Sequence, residues 1–241
     1  MICMFASSAE RSPIKIFSTG LTAIPLHGAT RLFEERHGVK FKIIAGEPTV
    51  WLPRVRAGEG EFVCVGAEYM MDDIEAENLI LRETRATVGY RRSMILVRKG
   101  NPRGIRTVQD LAEKDVKLLV CRGACQKGLW DDVASKVLLT DQIRNKIVEY
   151  GIGCLDTLRR WRRSEGRIDA GITWNVYGRI WPLYCEMIEL PRELEVLRST
   201  NVAILRSCTN NKLLQGLIDF LRSNESRRVY EKWGWITNRL I

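Results

Sequence analysis

Histidine is scarce in this chain. His27 and His37 are the two present among 241 residues, and neither stands near a candidate nucleophile in sequence, which argues against a nucleophile–histidine triad. There is no Cys-x-x-Cys, and no histidine lies beside a cysteine pair, so the ligand spacing of a structural zinc site is missing. Also missing are a Gly-x-Ser-x-Gly elbow, a Walker A loop and a His-Glu-x-x-His helix. Gly58-Glu59-Gly60 precedes a strand-like run, whereas a dinucleotide fingerprint follows one. No stretch of eighteen apolar residues occurs, so no segment reads as a membrane-spanning helix. Repeats of solenoid length and low-complexity tracts are absent too. These absences point away from an enzyme, a metalloprotein and a cofactor carrier.

What is present is the composition of a globular protein with an ample core: 45% hydrophobic and 28% charged residues. Lys and Arg number 38 against 29 Asp and Glu, and the net charge of +9 favours an anionic partner without choosing its class. The densest cationic stretch is Arg159, Arg160, Arg162, Arg163 and Arg167 around Trp161. Leu155, Leu158 and Trp161 are spaced as the buried stripe of a helix, so these arginines read as its solvated face and not as a nucleic-acid stripe. Seven cysteines, an odd count, leave at least one without an intrachain partner. Cys64 in FVCVG and Cys121 in LLVCRG are placed like small core residues of buried strands. One or two disulfides are open in an oxidising compartment, with connectivity unreadable. Residues 1–13 are set aside from the fold: Met1 to Ala9 reads either as the remnant of a signal peptide or as a disordered leader.

From Ile14 onward strand-like and helix-like segments alternate, the mark of an α/β chain with largely parallel sheets. Strands are expected at 14–17, 41–45, 62–65, 90–98, 117–121, 147–150, 170–173 and 201–205. Helices are expected between them, including one across 126–137 and one opening at Thr107. The turn Gly100-Asn101-Pro102 follows a first crossing between two halves, and the last strand and helices return to the first half. The expected architecture is two α/β lobes joined by a two-strand hinge, with lobe 1 over 14–93 plus 200–241 and lobe 2 over 94–199. Such a hinge closes over a ligand.

Four loops leave strands and enter helices: Ser18-Thr19-Gly20, Gly46-Glu47-Pro48-Thr49, Gly123-Ala124 and Gly151-Ile152-Gly153. At the carboxyl edge of α/β sheets, free helix N–H groups attract anions, small residues admit close approach, and Ser18, Thr19, Thr22 and Thr49 offer hydroxyls. Taken singly, each loop reads better as an ordinary cap, and it is the four together that favour binding. Arg91, at the crossing, and Arg122, at a strand exit, are candidates to hold a carboxylate or phosphate, the alternative for each being a surface charge. Trp51, Trp130, Trp174 and Tyr177 are candidate aromatic walls, and Trp130 is equally a core residue. Glu47 is the one candidate base, better suited to bonding a hydroxyl or amine of the ligand.

The segments AGEPTVW (45–51), FVCVGAEYM (62–70), YRRSMILVRKGNP (90–102), GLWDDVA (128–134), IDAGITWNVY (168–177) and YEKWGWI (230–236) resemble, in order, the accessory colonization factor family. That family is similar to the molybdate- and sulfate-binding proteins of ABC transporters, and the match runs over roughly residues 14–236. The resemblance implies a periplasmic-binding-protein-like type II fold, export to the periplasm, and an oxyanion, organophosphate or carboxylate held between the lobes. It also implies a membrane permease as partner and, in some relatives, a homodimer; no cofactor, metal or nucleic acid is implied. Position by position it places ligand contacts at Ser18, Thr19, Gly20, Glu47, Thr49, Trp51, Gly66, Ala67, Arg91, Gly123, Ala124, Gly153, Cys154, Thr173 and Trp174. Two loops depart from the family pattern. The first reads STGLTAIP where the family is rich in Gly and Pro, and the loop at 122–127 is shortened. Other functional readings are a surface adhesin or antigen on the same fold, the effector domain of a regulator, and an enzyme on the same scaffold, which would need an acid–base pair across the cleft where only Glu47 is offered. The regulator is disfavoured because no DNA-binding helix-turn-helix precedes residue 14.

Overall fold

The computed structural model describes residues 12–238. The leader expected over 1–13 therefore lies outside the described residues apart from Ser12 and Pro13, as does Cys3. In chain order the elements are β1 (Ile14–Ser18), α1 (Ala23–His37), β2 (Phe41–Ala45), α2 (Pro48–Arg56), β3 (Phe62–Val65), α3 (Glu68–Ala76) and β4 (Ala86–Arg98). They continue with α4 (Val108–Glu113), β5 (Leu118–Cys121), α5 (Leu129–Ser135), α6 (Thr140–Arg144), β6 (Ile147–Gly151) and α7 (Cys154–Arg163). The chain ends with β7 (Ala170–Trp174), α8 (Tyr177–Ile180), β8 (Cys185–Glu189), β9 (Leu197–Ile204), α9 (Asn211–Leu221) and α10 (Asn224–Lys232).

Local chemistry explains the boundaries. Gly38 takes the left-handed conformation at φ 62° and stops α1, its N–H bonding to the Glu34 carbonyl. Thr107 and Asp110 form a reciprocal capping box that starts α4 where the sequence predicts a helix. The helix expected across 126–137 is shorter. Ala124–Gln126 is a 3-10 turn, Gly128 sits at φ 76°, and α5 begins only at Leu129.

The strands run β2-β1-β3-β9-β4-β7-β5-β6, with β8 on the other side of β4. Around β1 and around β5 the pairing is parallel, as the alternation of elements requires, while β9 and β4 run antiparallel through the middle. The thirteen-residue β4 changes company along its length. Ala86 to Arg92 pair with β9, and Ser93 onward pair with β7 and β8. Each half of the sheet is covered by helices, so two α/β lobes share one long strand. This is the type II periplasmic-binding fold.

Each lobe has its own apolar centre. Ile16, Phe17, Phe33, Phe62 and Leu217 are buried in the first, and Leu118, Val133, Leu158, Trp161 and Ile172 in the second. Each such side chain contributes roughly 1.5–3 kcal/mol by leaving water. In α7 Leu158 and Trp161 are buried while Arg159, Arg162 and Arg163 are exposed, and Arg160 pairs with Asp156 and Glu149. The basic stretch is a wet helix face. Cys64 and Cys121 are buried strand residues, and the six described cysteines are all free thiols. The segment 234–236 returns to the crossing, where Tyr90 and Ile236 exchange backbone hydrogen bonds and Asn175 Nδ2 donates to the Gly234 carbonyl at 2.6 Å.

Candidate ligand-binding site

β1, β2 and β3 end at one edge, β5, β6 and β7 at another, and the loops leaving these edges meet face to face. A Cβ on Gly20 would come within 2.8 Å of the Leu155 side chain, and one on Gly153 within 1.7 Å of Glu47 Oε1. A Cβ on Gly66 would meet Arg91 Nη2 at 2.5 Å and Cys125 Cβ at 3.1 Å. These glycines are where the lobes touch, and close approach is what a missing side chain permits. Tyr69 of the first lobe donates its hydroxyl to the Ala124 carbonyl of the second at 2.5 Å. Arg198 ties Glu68 (3.4 Å) to Asp132 (2.8 Å) at the rim. The structure is thus a closed one.

The first loop is a hydroxyl cluster. Ser18 Oγ and Thr19 Oγ1 each lie 2.8 Å from Thr22 Oγ1, and all three residues are buried. The helices that follow the loops, α1, α2, α3 and α7, have no side-chain cap, while α4, α9 and α10, elsewhere, are capped by Thr107, Asn210 and Ser223. The short helices α5, α6 and α8 also go uncapped. Uncapped amides and the positive end of the helix dipole make this edge receptive to negative charge.

At the centre is Arg91, fully buried. Its Nη2 donates to the Gly66 carbonyl, and its Nη1 lies 3.4 Å from Cys125 Sγ. The guanidinium sits 5.0 Å from the Trp174 ring and 5.5 Å from the Trp235 ring. Among the described residues no carboxylate pairs with it, and its Nε is buried without a hydrogen-bond partner; the Trp174 Nε1 has no well-formed partner either, though it lies close enough to Cys125 to favour that thiolate. A desolvated guanidinium with an open donor is costly unless an anion meets it. Cys125 partly fills that part. Its thiol is held well below the ordinary cysteine range by the hydrogen bond from Cys154 and by the charge and hydrogen bond of Arg91, against the opposing effect of burial. The Cys154 thiol, 3.1 Å away, is pushed far up by that hydrogen bond and by burial. Glu47 is pushed up to about 7, first by burial and then by the charges of Cys125 and Asp156.

Most of the expected site residues converge here. Ser18, Thr19, Gly20, Glu47, Gly66, Ala67, Arg91, Gly123, Ala124, Gly153, Cys154, Thr173 and Trp174 all lie on the two facing edges. Thr173 Oγ1 donates to Gln126 Oε1 (2.9 Å), whose amide nitrogen reaches the Tyr177 hydroxyl at 2.6 Å, and Tyr177 donates to the Cys154 carbonyl at 3.1 Å. Two residues sit apart. Thr49 is exposed, and Trp51 is buried with its ring stacked on Phe17 and its N–H given to the Gly46 carbonyl, so it braces the loop from beneath. Arg122 is exposed, and Trp130 lies half-buried near Arg144. Cys125, Gln126 and Tyr69 were not among the expected contacts. A depression of about 870 Å³ lined by Pro13, His37, Lys40 and Asn210 is far from these loops and holds none of the unpartnered buried polar atoms.

The bacterial extracellular solute-binding protein family model matches residues 14–236. The chain belongs to that family. No curated protein sequence matches this solute-binding protein. Its fold is similar to that of Peb3 from Campylobacter jejuni, with a TM-score of 0.81 at 22% identity over 93% of this chain and 100% of the other. It is as similar to PEB3 with L-phospholactate bound, at TM-score 0.82, 22% identity and the same 93% and 100% coverage. The periplasmic molybdate-binding protein of Azotobacter vinelandii superposes with a TM-score of 0.74 at 12% identity, over 94% of this chain and 100% of that one. At these identities the likeness is one of fold. Among the described residues no helix is long and apolar enough to cross a membrane.

Proposed function

We propose that this solute-binding protein captures a small anion, an oxyanion, organophosphate or carboxylate, in the cleft between its lobes and delivers it to the permease of an ABC transporter from the periplasmic side. One observation carries the reading: the Arg91 guanidinium is wholly desolvated between the lobes, has no carboxylate partner among the described residues and only the Cys125 sulfur as counter-charge, and keeps an open donor at Nε. The uncapped helix ends and the Ser18–Thr19–Thr22 hydroxyls add donors, while Glu47, pushed up to about 7, is divided between its two forms near neutrality and in the protonated one offers an O–H to an anionic oxygen. L-phospholactate in PEB3 and molybdate in the Azotobacter protein are anions of the proposed kind. In this reading the hinge is the pair of strands that crosses between the lobes, β4 changing partners between Arg92 and Ser93 and β9 starting at Leu197, which supports lobes of 14–92 plus 197–238 and 93–196 beside the expected 14–93 plus 200–241 and 94–199.

A thermal-shift panel of sulfate, molybdate, phosphate, phosphorylated three-carbon acids and citrate tests this. A ligand at a hundredfold excess over its Kd adds about 2.7 kcal/mol. For a protein of this size that raises Tm by roughly 5–10 °C. A saturable rise with one anion class is the expected result; no rise with any member refutes the anion reading.

A further inference from the structure

Cys125 and Cys154 are 29 residues apart in sequence, on loops that leave different strands, yet their sulfurs lie 3.1 Å apart. Both are fully buried, and nothing separates them. The backbone is arranged to bring them together. Ala124 sits at φ +46°, a left-handed conformation that costs a residue with a Cβ about 1–2 kcal/mol, and the Tyr69 hydroxyl holds its carbonyl. Cys154 is the first residue of α7, directly after Gly153, which has no side chain to keep the lobes apart. A second polar group faces the pair: Gln126 Nε2 donates to Cys154 Sγ at 3.3 Å. The other described cysteines are differently placed. Cys64 and Cys121 are strand residues of the two cores, Cys185 gives its thiol to backbone carbonyls, and Cys208 lies at the distant depression.

We propose that Cys125 and Cys154 are a disulfide-forming pair built into the ligand cleft, with Cys125 as the attacking thiolate and Cys154 as the resolving thiol. The sulfurs have only about 1 Å to travel to reach bonding distance, near 2.05 Å. Arg91 Nη1, 3.4 Å from Cys125 Sγ, supplies the positive charge that selects Cys125 as the thiolate. The oxidant is a disulfide of a low-molecular-weight thiol, admitted when the lobes part. Cys125 attacks one reagent sulfur, the reagent S–S bond breaks, and one thiolate leaves and takes up a proton. Cys154 then loses its proton and attacks Cys125 Sγ, and the second reagent thiolate departs and is protonated. Two electrons pass from the pair to the reagent, which ends as two thiols. Oxidation removes the negative charge that faces Arg91, so the cleft in an oxidising compartment presents that guanidinium without its internal counter-ion. The pair is independent of which solute the cleft takes.

The test uses the full chain, fully reduced and then equilibrated with defined ratios of oxidised to reduced glutathione. It is quenched with acid, alkylated under denaturing conditions and read by intact mass and peptide mapping. The expected result is a loss of two alkylatable thiols with one crosslinked peptide pair joining 125 to 154, and in Cys154→Ser a single glutathionyl group trapped on Cys125. A crosslink joining other cysteines overturns the proposal. So does a pair that stays reduced at every ratio up to oxidised glutathione alone. The wild-type arm needs no variant to fold, and neither result depends on anion binding.

Discussion

Replacing Arg91 by methionine keeps an unbranched side chain of similar reach and deletes the buried charge. Two sets of effects oppose each other in the folded protein. The variant loses the hydrogen bond to the Gly66 carbonyl, which is then buried without a donor, and the contacts with Trp174 and Trp235. The orphaned carbonyl costs about 1–3 kcal/mol and each lost cation–π contact about 0.5–2 kcal/mol. Against this stands the desolvation of a guanidinium without a carboxylate partner, several kcal/mol that the methionine does not incur. The net change in folding stability is expected to stay within about 2 kcal/mol of zero, since these opposing terms are of similar size. Anion binding has no such offset. A hydrogen bond to a charged group contributes about 1.5–3 kcal/mol, so affinity falls by roughly 10- to 150-fold. Urea titration gives the first quantity and isothermal titration calorimetry the second, with the anion selected by thermal shift. Arg91→Met that binds the anion as tightly as the parent refutes the central role given to this charge. If stability collapses by more than about 4 kcal/mol, Arg91 is a structural keystone and the cleft reading loses its main support.

Glu47, pushed up to about 7, takes up a proton as the cleft acidifies, and an anion binds better beside a neutral carboxyl than beside a carboxylate. Affinity is therefore expected to rise as pH falls from 8 to 6, and in Glu47→Gln calorimetry should show that slope flattened. The same shift acts on stability: a carboxyl raised by folding contributes fully below the unfolded carboxylate range and loses that contribution as pH rises through about 7. Urea midpoints should fall across that window in the parent and fall less in Glu47→Gln. Gly153→Ala places a methyl in the space of the Glu47 carboxyl, so solution scattering should show a more open protein with weaker anion binding and near-normal Tm. Gly123→Ala instead drives a Cβ to 1.9 Å from the Ile152 carbonyl oxygen, backbone that cannot swing aside, and is expected to lower stability by about 2 kcal/mol or more in urea titration.

The first lobe was legible because β1, β2 and β3 are short apolar runs separated by helices with clear stops, and the capping box at Thr107 announced α4. β8 was not. Its sequence, CEMIE, carries Glu186 and Glu189 and no clean alternation, and only beside β4, where Lys99 and Arg92 pair with them, is the strand evident. α6 has five residues, too few for a helical period to emerge. Gly128 marked the break before α5, but a glycine within an apolar-periodic window is weak evidence without the backbone angle. In the site, glycines and hydroxyls after strands were visible as loop chemistry. Arg91 was visible only as a cation on a strand, with a surface charge as the alternative; its burial comes from the second lobe folding over it. Cys125 and Cys154 are close only because the loops after β5 and β6 are adjacent, and no sequence spacing encodes that.

The short return of 234–236 has a practical consequence. Ile236 is stitched to Tyr90 on the shared strand, while Gly234 is held by Asn175 just beyond β7, so these three residues straddle the place where the lobes diverge. An environment-sensitive dye on Thr237 would sit beside that junction without touching the cleft. Its emission would follow the opening of the lobes, turning the protein into its own optical reporter.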